Sequence, residues 1–245
     1  MSDATIVITR PVGDEKILTD LLHHHGYRVI HEPLTSIYLN HTLRQELHHA
    51  LMDEPDAVIV TSRHAVQALS LLSDLRDPFL ICVGEATARV AYSLGFTRVS
   101  VAGGNAQKLI GSIGDSYDAD SRFLYLSGEH VRVDMDAALT AKDMHVQRLA
   151  LYEAIASEQL SDILIEHLRR TQIDAVTFLS QRTAHIFTEL LAKAGMNKSV
   201  AHLQGFCLSA SVAEPLQSSP WKSIHITREA TLASLLECVN NVFER

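Results

Sequence analysis

The chain has 245 residues, 47% of them hydrophobic and 20% charged, with a formal net charge of −8. That is the composition of an ordinary globular protein, long enough for one large domain or two small ones. The acidic balance comes without any Lys/Arg stripe and argues against a nucleic-acid partner. With neither a basic leader nor an apolar run of about 18 residues, export and membrane spanning are not expected.

Taken in order, Thr5–Thr9 reads as a short buried strand broken at Arg10-Pro11. Ile17, Leu18, Leu21 and Leu22 recur at helical spacing up to Gly26, and a second strand spans Tyr27–His31. Pro33–Asn40 opens on a proline and has no helical period, which marks an extended connector. A helix from Thr42 to Met52 leads to strand Ala57–Val60 and helix Ser62–Leu72. Strand Phe79–Val83 enters a helix ending near Gly95, and strand Arg98–Val101 precedes a helix over Ala106–Ile113. Asp115–Ser121 is polar and reads as a loop. Beyond it come strand Arg122–Leu126, a helix over Val131–Lys142 and an extended run over Val146–Ala156, the expected return partner of the first connector. Helix Ser161–Arg170, strand Ala175–Leu179, helix Arg182–Lys193, strand Gly205–Leu208 and helix Ala210–Leu216 follow. Strand Ser223–Ile226 and helix Leu232–Phe243 close the series. Such alternation predicts parallel sheets with helices on both faces.

The series contains a repeat. Asp56–Val66, DAVIVTSRHAV, returns as Asp174–Ala184, DAVTFLSQRTA, and the match extends outward with a slowly lengthening offset, as loop insertions in a duplicated unit would produce. Two similar α/β domains are therefore expected. In each copy a strand runs into a hydroxyl residue, Ser62 or Ser180, at a helix N-cap position. Small or hydroxyl residues stand at most strand ends, where open parallel sheets bind ligands, and converging helix starts there can hold anions without lysines.

Several chemistries are poorly supported. The segments VGEATA and AGGNAQ lack dinucleotide-binding spacing, there is no P-loop, and no Gly-x-Ser-x-Gly elbow occurs. The fourteen histidines include His23-His24-His25 and His48-His49, but consecutive helical residues point about 100° apart and cannot share an ion, so no metal is expected. Three cysteines without Cys-x-x-Cys spacing suit a reducing cytoplasm. Tyr152 lies in the second extended run, either as a half-buried aromatic or as a phenol able to donate a proton. Arg10 and Arg132 follow strand ends, either as surface residues or as partners for substrate carboxylates.

In order along the chain, ITRP, VTSRHAV, VGEATA, YLSGEHVR, ALYEA and FLSQRTA resemble the uroporphyrinogen-III synthase family. The resemblance implies two doubly wound, flavodoxin-like α/β domains joined by a two-stranded β-ladder, with the first strand-helix-strand unit exchanged between halves. Residues 1–33 would join 157–245, 40–147 would form the other domain, and 34–39 with 148–156 the ladder. It also implies a cytoplasmic, cofactor-free hydro-lyase of haem biosynthesis, acting as a monomer. Such an enzyme closes the linear tetrapyrrole hydroxymethylbilane with inversion of the last ring and loss of water. Its substrate carboxylates would be gripped by backbone amides in a cleft between the domains.

By motif position, Tyr152 takes the place of the family's cleft tyrosine, Thr87 that of its threonine, and Ser62 and Ser180 those of the serines after the central strands. Arg63, Gly84, Gly128 and Gln181 join the expected substrate-binding set. At the second-half counterpart of Thr87 the sequence has Val212, which leaves Ser209 or Ser211 to supply the hydroxyl. The alternative reading is a cytosolic two-domain small-molecule binding module without catalysis.

Overall fold

The computed structural model describes residues 4–131 and 133–243. The chain forms two units, Met1–Ser36 with Ile155–Arg245, and Ile37–Ala154. In the first unit the elements are β1 (Thr5–Ile8), α1 (Lys16–His24) and β2 (Arg28–His31). From β3 (Thr35–Leu39) the chain passes into the second unit. There α2 (Arg44–Met52), β4 (Ala57–Val60), α3 (Arg63–Leu72), β5 (Leu80–Cys82) and α4 (Glu85–Ser93) follow. The unit is completed by β6 (Val99–Val101), α5 (Ala106–Ser116), β7 (Arg122–Gly128), α6 (Met135–Thr140) and β8 (His145–Ala156). Back in the first unit come α7 (Asp162–Arg169), β9 (Ala175–Phe178), α8 (Gln181–Lys193), β10 (Gln204–Cys207), α9 (Ala210–Ala213), β11 (Ser223–Ile226) and α10 (Leu232–Phe243).

The first sheet has the order β2-β1-β9-β10-β11 and is parallel in each of its strand pairs. The second runs β3-β8-β7-β4-β5-β6, parallel from β8 to β6. If β7-α6-β8 is matched to β1-α1-β2, the two sheets share one doubly wound layout, and the expected exchange of first units is what the topology shows. A local detail supports this matching. Asp56 immediately precedes β4, and its carboxylate accepts the Arg122 amide at 2.8 Å. Asp174, its counterpart before β9, accepts the Thr5 amide at the same 2.8 Å. The Asp of the repeated DAV therefore ties the start of each central strand to the neighbour inherited from the other piece of the duplication.

Period-two alternation decides which face each strand residue serves. In β1, Ile6 and Ile8 pack with Leu18, Leu22 and Leu235, whereas Val7 faces Leu164 and Phe187. In β4, Val58 and Val60 pack with Ala65 and Leu69, and Ala57 and Ile59 with Leu109 and Leu139. Each sheet is thus buried on both faces, and its unbroken apolar runs are those of a covered parallel sheet.

The expected ladder is present. Asn40 donates its amide to Leu151 at 2.8 Å and Ser157 donates its own to Leu34 at 3.0 Å, so β3 and β8 run antiparallel. Three helices differ from the sequence reading. The helix expected over Val131–Lys142 is only α6, started by Asp134, whose carboxylate accepts the Ala137 amide at 3.0 Å. Helix α5 continues to Ser116, into the segment read as a loop, despite Gly111 and Gly114, and Gly114 leaves room for Lys142, with which a side chain there would clash. Helix α9 changes to a 3-10 turn at Glu214–Ser218, since Pro215 has no amide with which to continue an α-helix.

Candidate active site at the ends of β4 and β7

In a doubly wound sheet the crevice for ligands opens where the strand order reverses, at the carboxyl ends of the strands. Here those points lie at β7/β4 in one unit and β1/β9 in the other.

At the first of them β4 is followed by Thr61-Ser62. Ser62 is extended (φ −144°, ψ 151°) and caps α3, its Oγ accepting the Ala65 amide at 3.2 Å. The same oxygen lies 2.8 Å from the Tyr152 hydroxyl. Tyr152 reaches it because β8 carries a bulge. The register pairs Ser127 with Ala150 and then Gly128 with Tyr152, leaving Leu151 as the extra residue, and a bulge of this kind re-aims the side chain beside it. Gly128 makes the approach possible, since a Cβ there would sit 2.9 Å from the tyrosine ring. His64 completes the surround, its ring 5.6 Å from that of Tyr152 and edge-on.

Burial pushes the Tyr152 phenol up from its ordinary value, the Ser62 hydrogen bond opposes this, and Tyr125 adds to it. The phenol therefore keeps its proton at neutral pH and can act as a donor. Nearby, Tyr125 is also pushed up by burial, and the Asp136 carboxyl is raised by burial against the pull of Arg148.

The remaining expected residues divide by position. Arg63 opens α3 beside Ser62 and is half-buried. Gly84 stands at the start of α4 with no side chain to cap it, and Thr87 is buried in the first turn of that helix. In the other unit Ser180 caps α8, accepting the Thr183 amide at 3.1 Å, with its hydroxyl 2.5 Å from that of Thr183. Gln181 donates to the Glu214 carboxylate at 3.2 Å. Ser209 caps α9 and lies 2.9 Å from the Ser211 hydroxyl, while Val212, like Thr87, is buried. Thus one unit has glycine at the cap and threonine inside, the other serine at the cap and valine inside. Arg10 faces Asp14 at 3.8 Å, so any incoming carboxylate would compete with a resident one. Arg132 lies outside the described residues.

Sequence reasoning missed Arg148, which donates to the Ser127 hydroxyl and to the carbonyls of Gly128 and Glu129 at 2.8–2.9 Å. Nothing in the sequence marked it, since an arginine beside Gln147 in an extended run reads as a solvent-facing residue. Among the described residues no three His, Cys, Asp or Glu side chains gather as a metal site would require, and no helix is long and apolar enough to cross a membrane.

These features define a duplicated, doubly wound α/β protein with its two sheets linked by a ladder and a phenol–serine pair at one switch point. A family model described as Uroporphyrinogen-III synthase HemD matches residues 17–237, and the chain belongs to that family, which serves haem and tetrapyrrole biosynthesis. The ordered motifs read from the sequence pointed to the same family. Two solved structures share the fold. A mutant uroporphyrinogen III synthase from the extremely thermophilic bacterium Thermus thermophilus is 16% identical, with 98% of this chain and 99% of that one covered and a TM-score of 0.61. Uroporphyrinogen-III synthetase from Helicobacter pylori is 15% identical, with the same coverage and a TM-score of 0.62. No curated protein sequence matches the chain.

Proposed function

We propose that the chain is a cofactor-independent uroporphyrinogen-III synthase of the hydro-lyase class, working in the cytoplasm as a monomer on a linear tetrapyrrole, with Tyr152 as its proton donor. The observation that carries this reading is the Tyr152–Ser62 pair at a switch point of a chain matched to the family over residues 17–237. Hydroxymethylbilane must lose the hydroxyl of its terminal hydroxymethyl group before the ring can close. A departing hydroxide is a poor leaving group, and a phenol that holds its proton can deliver it, so that water leaves. Ser62 serves this role by donating its own hydroxyl hydrogen to the phenolic oxygen, which leaves the phenolic hydrogen free for the substrate.

Inversion of the last ring is a matter of conformation. The open chain can also close without inverting, so the enzyme must hold one folded conformer, and that is orientation more than acid–base force. The carboxylates of the substrate offer the handles. In the proposal the carboxylates meet backbone amides of the helix starts at Ser62-Arg63, Gly84, Ser180-Gln181 and Ser209, and Thr87, Gly128, Ser211, Arg10 and Arg132 complete the proposed binding set. Helix starts favour anions, each contributing about 0.3–1 kcal/mol when exposed.

The test is to supply hydroxymethylbilane and separate the products. The wild-type chain is expected to form the inverted isomer, and formation of only the non-inverted ring system would remove the proposal. Tyr152→Phe should slow turnover about tenfold, less than a full general-acid contribution, because conformer selection is untouched. An unchanged rate would reduce the tyrosine to packing.

A further inference from the structure

We propose that Arg148 is a positioning residue that aims the Tyr152 phenol by clamping the end of β7 across the bulge in β8. This inference rests on the proposed synthase reading and deepens it.

The bulge has a structural consequence that the ladder cannot meet. Where Leu151 is inserted, the register of β7 against β8 shifts, and side-chain donors meet the strand-end carbonyls, the Ser127 hydroxyl donating to Gly128 at 2.9 Å alongside Arg148. Arg148 precedes the bulge on the same strand as Tyr152. Its Nε donates to the Ser127 hydroxyl at 2.9 Å, and its Nη2 to the Gly128 carbonyl at 2.9 Å and the Glu129 carbonyl at 2.8 Å. Three acceptors from three consecutive residues are thus held by one planar group, a task that suits the guanidinium fork and not the point charge of lysine.

The clamped segment is what meets Tyr152. The Glu129 amide donates to the Tyr152 carbonyl at 2.8 Å, and Gly128 lies directly against the ring. Two of the three clamped residues therefore set the backbone and the ring of the tyrosine, and its hydroxyl is left at 2.8 Å from Ser62. Loosening the clamp would let the phenol drift. Displacements of about 1 Å in a reacting group are costly, up to about a hundredfold in rate.

The experiment uses the full chain as wild type, Arg148→Met, Arg148→Lys, Tyr152→Phe and the Arg148→Met/Tyr152→Phe pair, each checked for cooperative unfolding. Arg148→Met is expected to lower kcat on hydroxymethylbilane about tenfold with KM changed less than about twofold. In the Tyr152→Phe background the same change should cost less than about twofold more, since residues that act through one another are not additive. Losses that multiply would overturn the proposal, as would full activity in Arg148→Lys, which keeps the charge without the fork. If Arg148→Met does not fold, the Lys variant and its Tyr152→Phe pair carry the same comparison.

A second readout does not depend on the reaction. In protein labelled at the tyrosine rings, the Tyr152 signal is identified by its loss in Tyr152→Phe. It should shift or broaden in Arg148→Met, and a signal that stays in place would overturn the positioning role. A wild type that makes no inverted isomer would remove the synthase reading, while the ring signal would still decide whether Arg148 aims Tyr152.

Discussion

At Gly128 an added methyl carbon would stand 2.9 Å from two carbons of the Tyr152 ring, closer than such atoms come. Either the ring or the strand end must move, and both are held, the ring by Ser62 and the strand end by Arg148. Gly128→Ala should therefore destabilise the protein by about 1–3 kcal/mol, the usual range for overpacking a filled site. Urea unfolding checks this, and an unchanged midpoint would mean that the ring is free to swing away. Residues of this kind are unevenly legible in a sequence. Tyr152 stood out as an aromatic in an extended run, inside the motif ALYEA. The role of Gly128 was open only through the motif it belongs to, and that of Arg148 not at all. Both depend on a one-residue register slip, and a bulge leaves no trace in hydrophobic periodicity when the extra residue, Leu151, is itself apolar and buried.

At the scale of elements the strands were the most legible, since each is a short apolar run closed by a turn residue, and β4, β11 and α10 have the bounds the sequence suggested. Helix ends were decided by side chains acting over distance. One such end is the start of α7. Ser161 caps it, its Oγ accepting the Leu164 amide at 3.1 Å, and it also meets the Glu32 carboxylate twice, through its amide at 2.8 Å and its hydroxyl at 2.5 Å. Glu32 is only 4% exposed, at the end of β2. No local pattern could reveal that a residue near position 30 secures a helix beginning at 162. Ser161→Ala removes the cap, worth about 1 kcal/mol, and also takes a donor from a buried carboxylate, worth about 1–3 kcal/mol. The loss should exceed that of Glu32→Gln, which keeps one oxygen to accept the Ser161 amide, can donate its own amide hydrogen to the Ser161 hydroxyl, and carries no charge. Denaturant midpoints of the two variants test the order, and a reversed order would show the carboxylate charge, not the cap, to be the main contribution.

For the molecule as a whole, the exchange of first units means that the chain's beginning belongs structurally to its end. β1 lies between β2 and β9, all four of its residues are buried, and its neighbours across the sheet are Ala175, Val176 and Thr177. The link is reinforced by hydroxyls: Thr9 donates to the Thr177 carbonyl at 2.9 Å, and Thr177 to the Val7 carbonyl at 3.1 Å. Deleting residues 1–36 would take out β1, α1 and β2 together. It would strip Leu18, Leu22, Ile6 and Ile8 from one face of the sheet and open β9 as an exposed edge. The unit formed by Ile37–Ala154 keeps its strands β4 to β8 and both of its apolar clusters, one around Val58 and Leu69 and one around Ile59 and Leu109. The truncated chain should therefore protect amides of β4, β5 and β7 from hydrogen exchange while those of β9, β10 and β11, far away in sequence, exchange as in an unfolded segment. Loss of protection at β4 instead, with β9 and β10 still protected, would show that the halves fold in sequence order and that the pairing of β1 with β9 contributes little to stability.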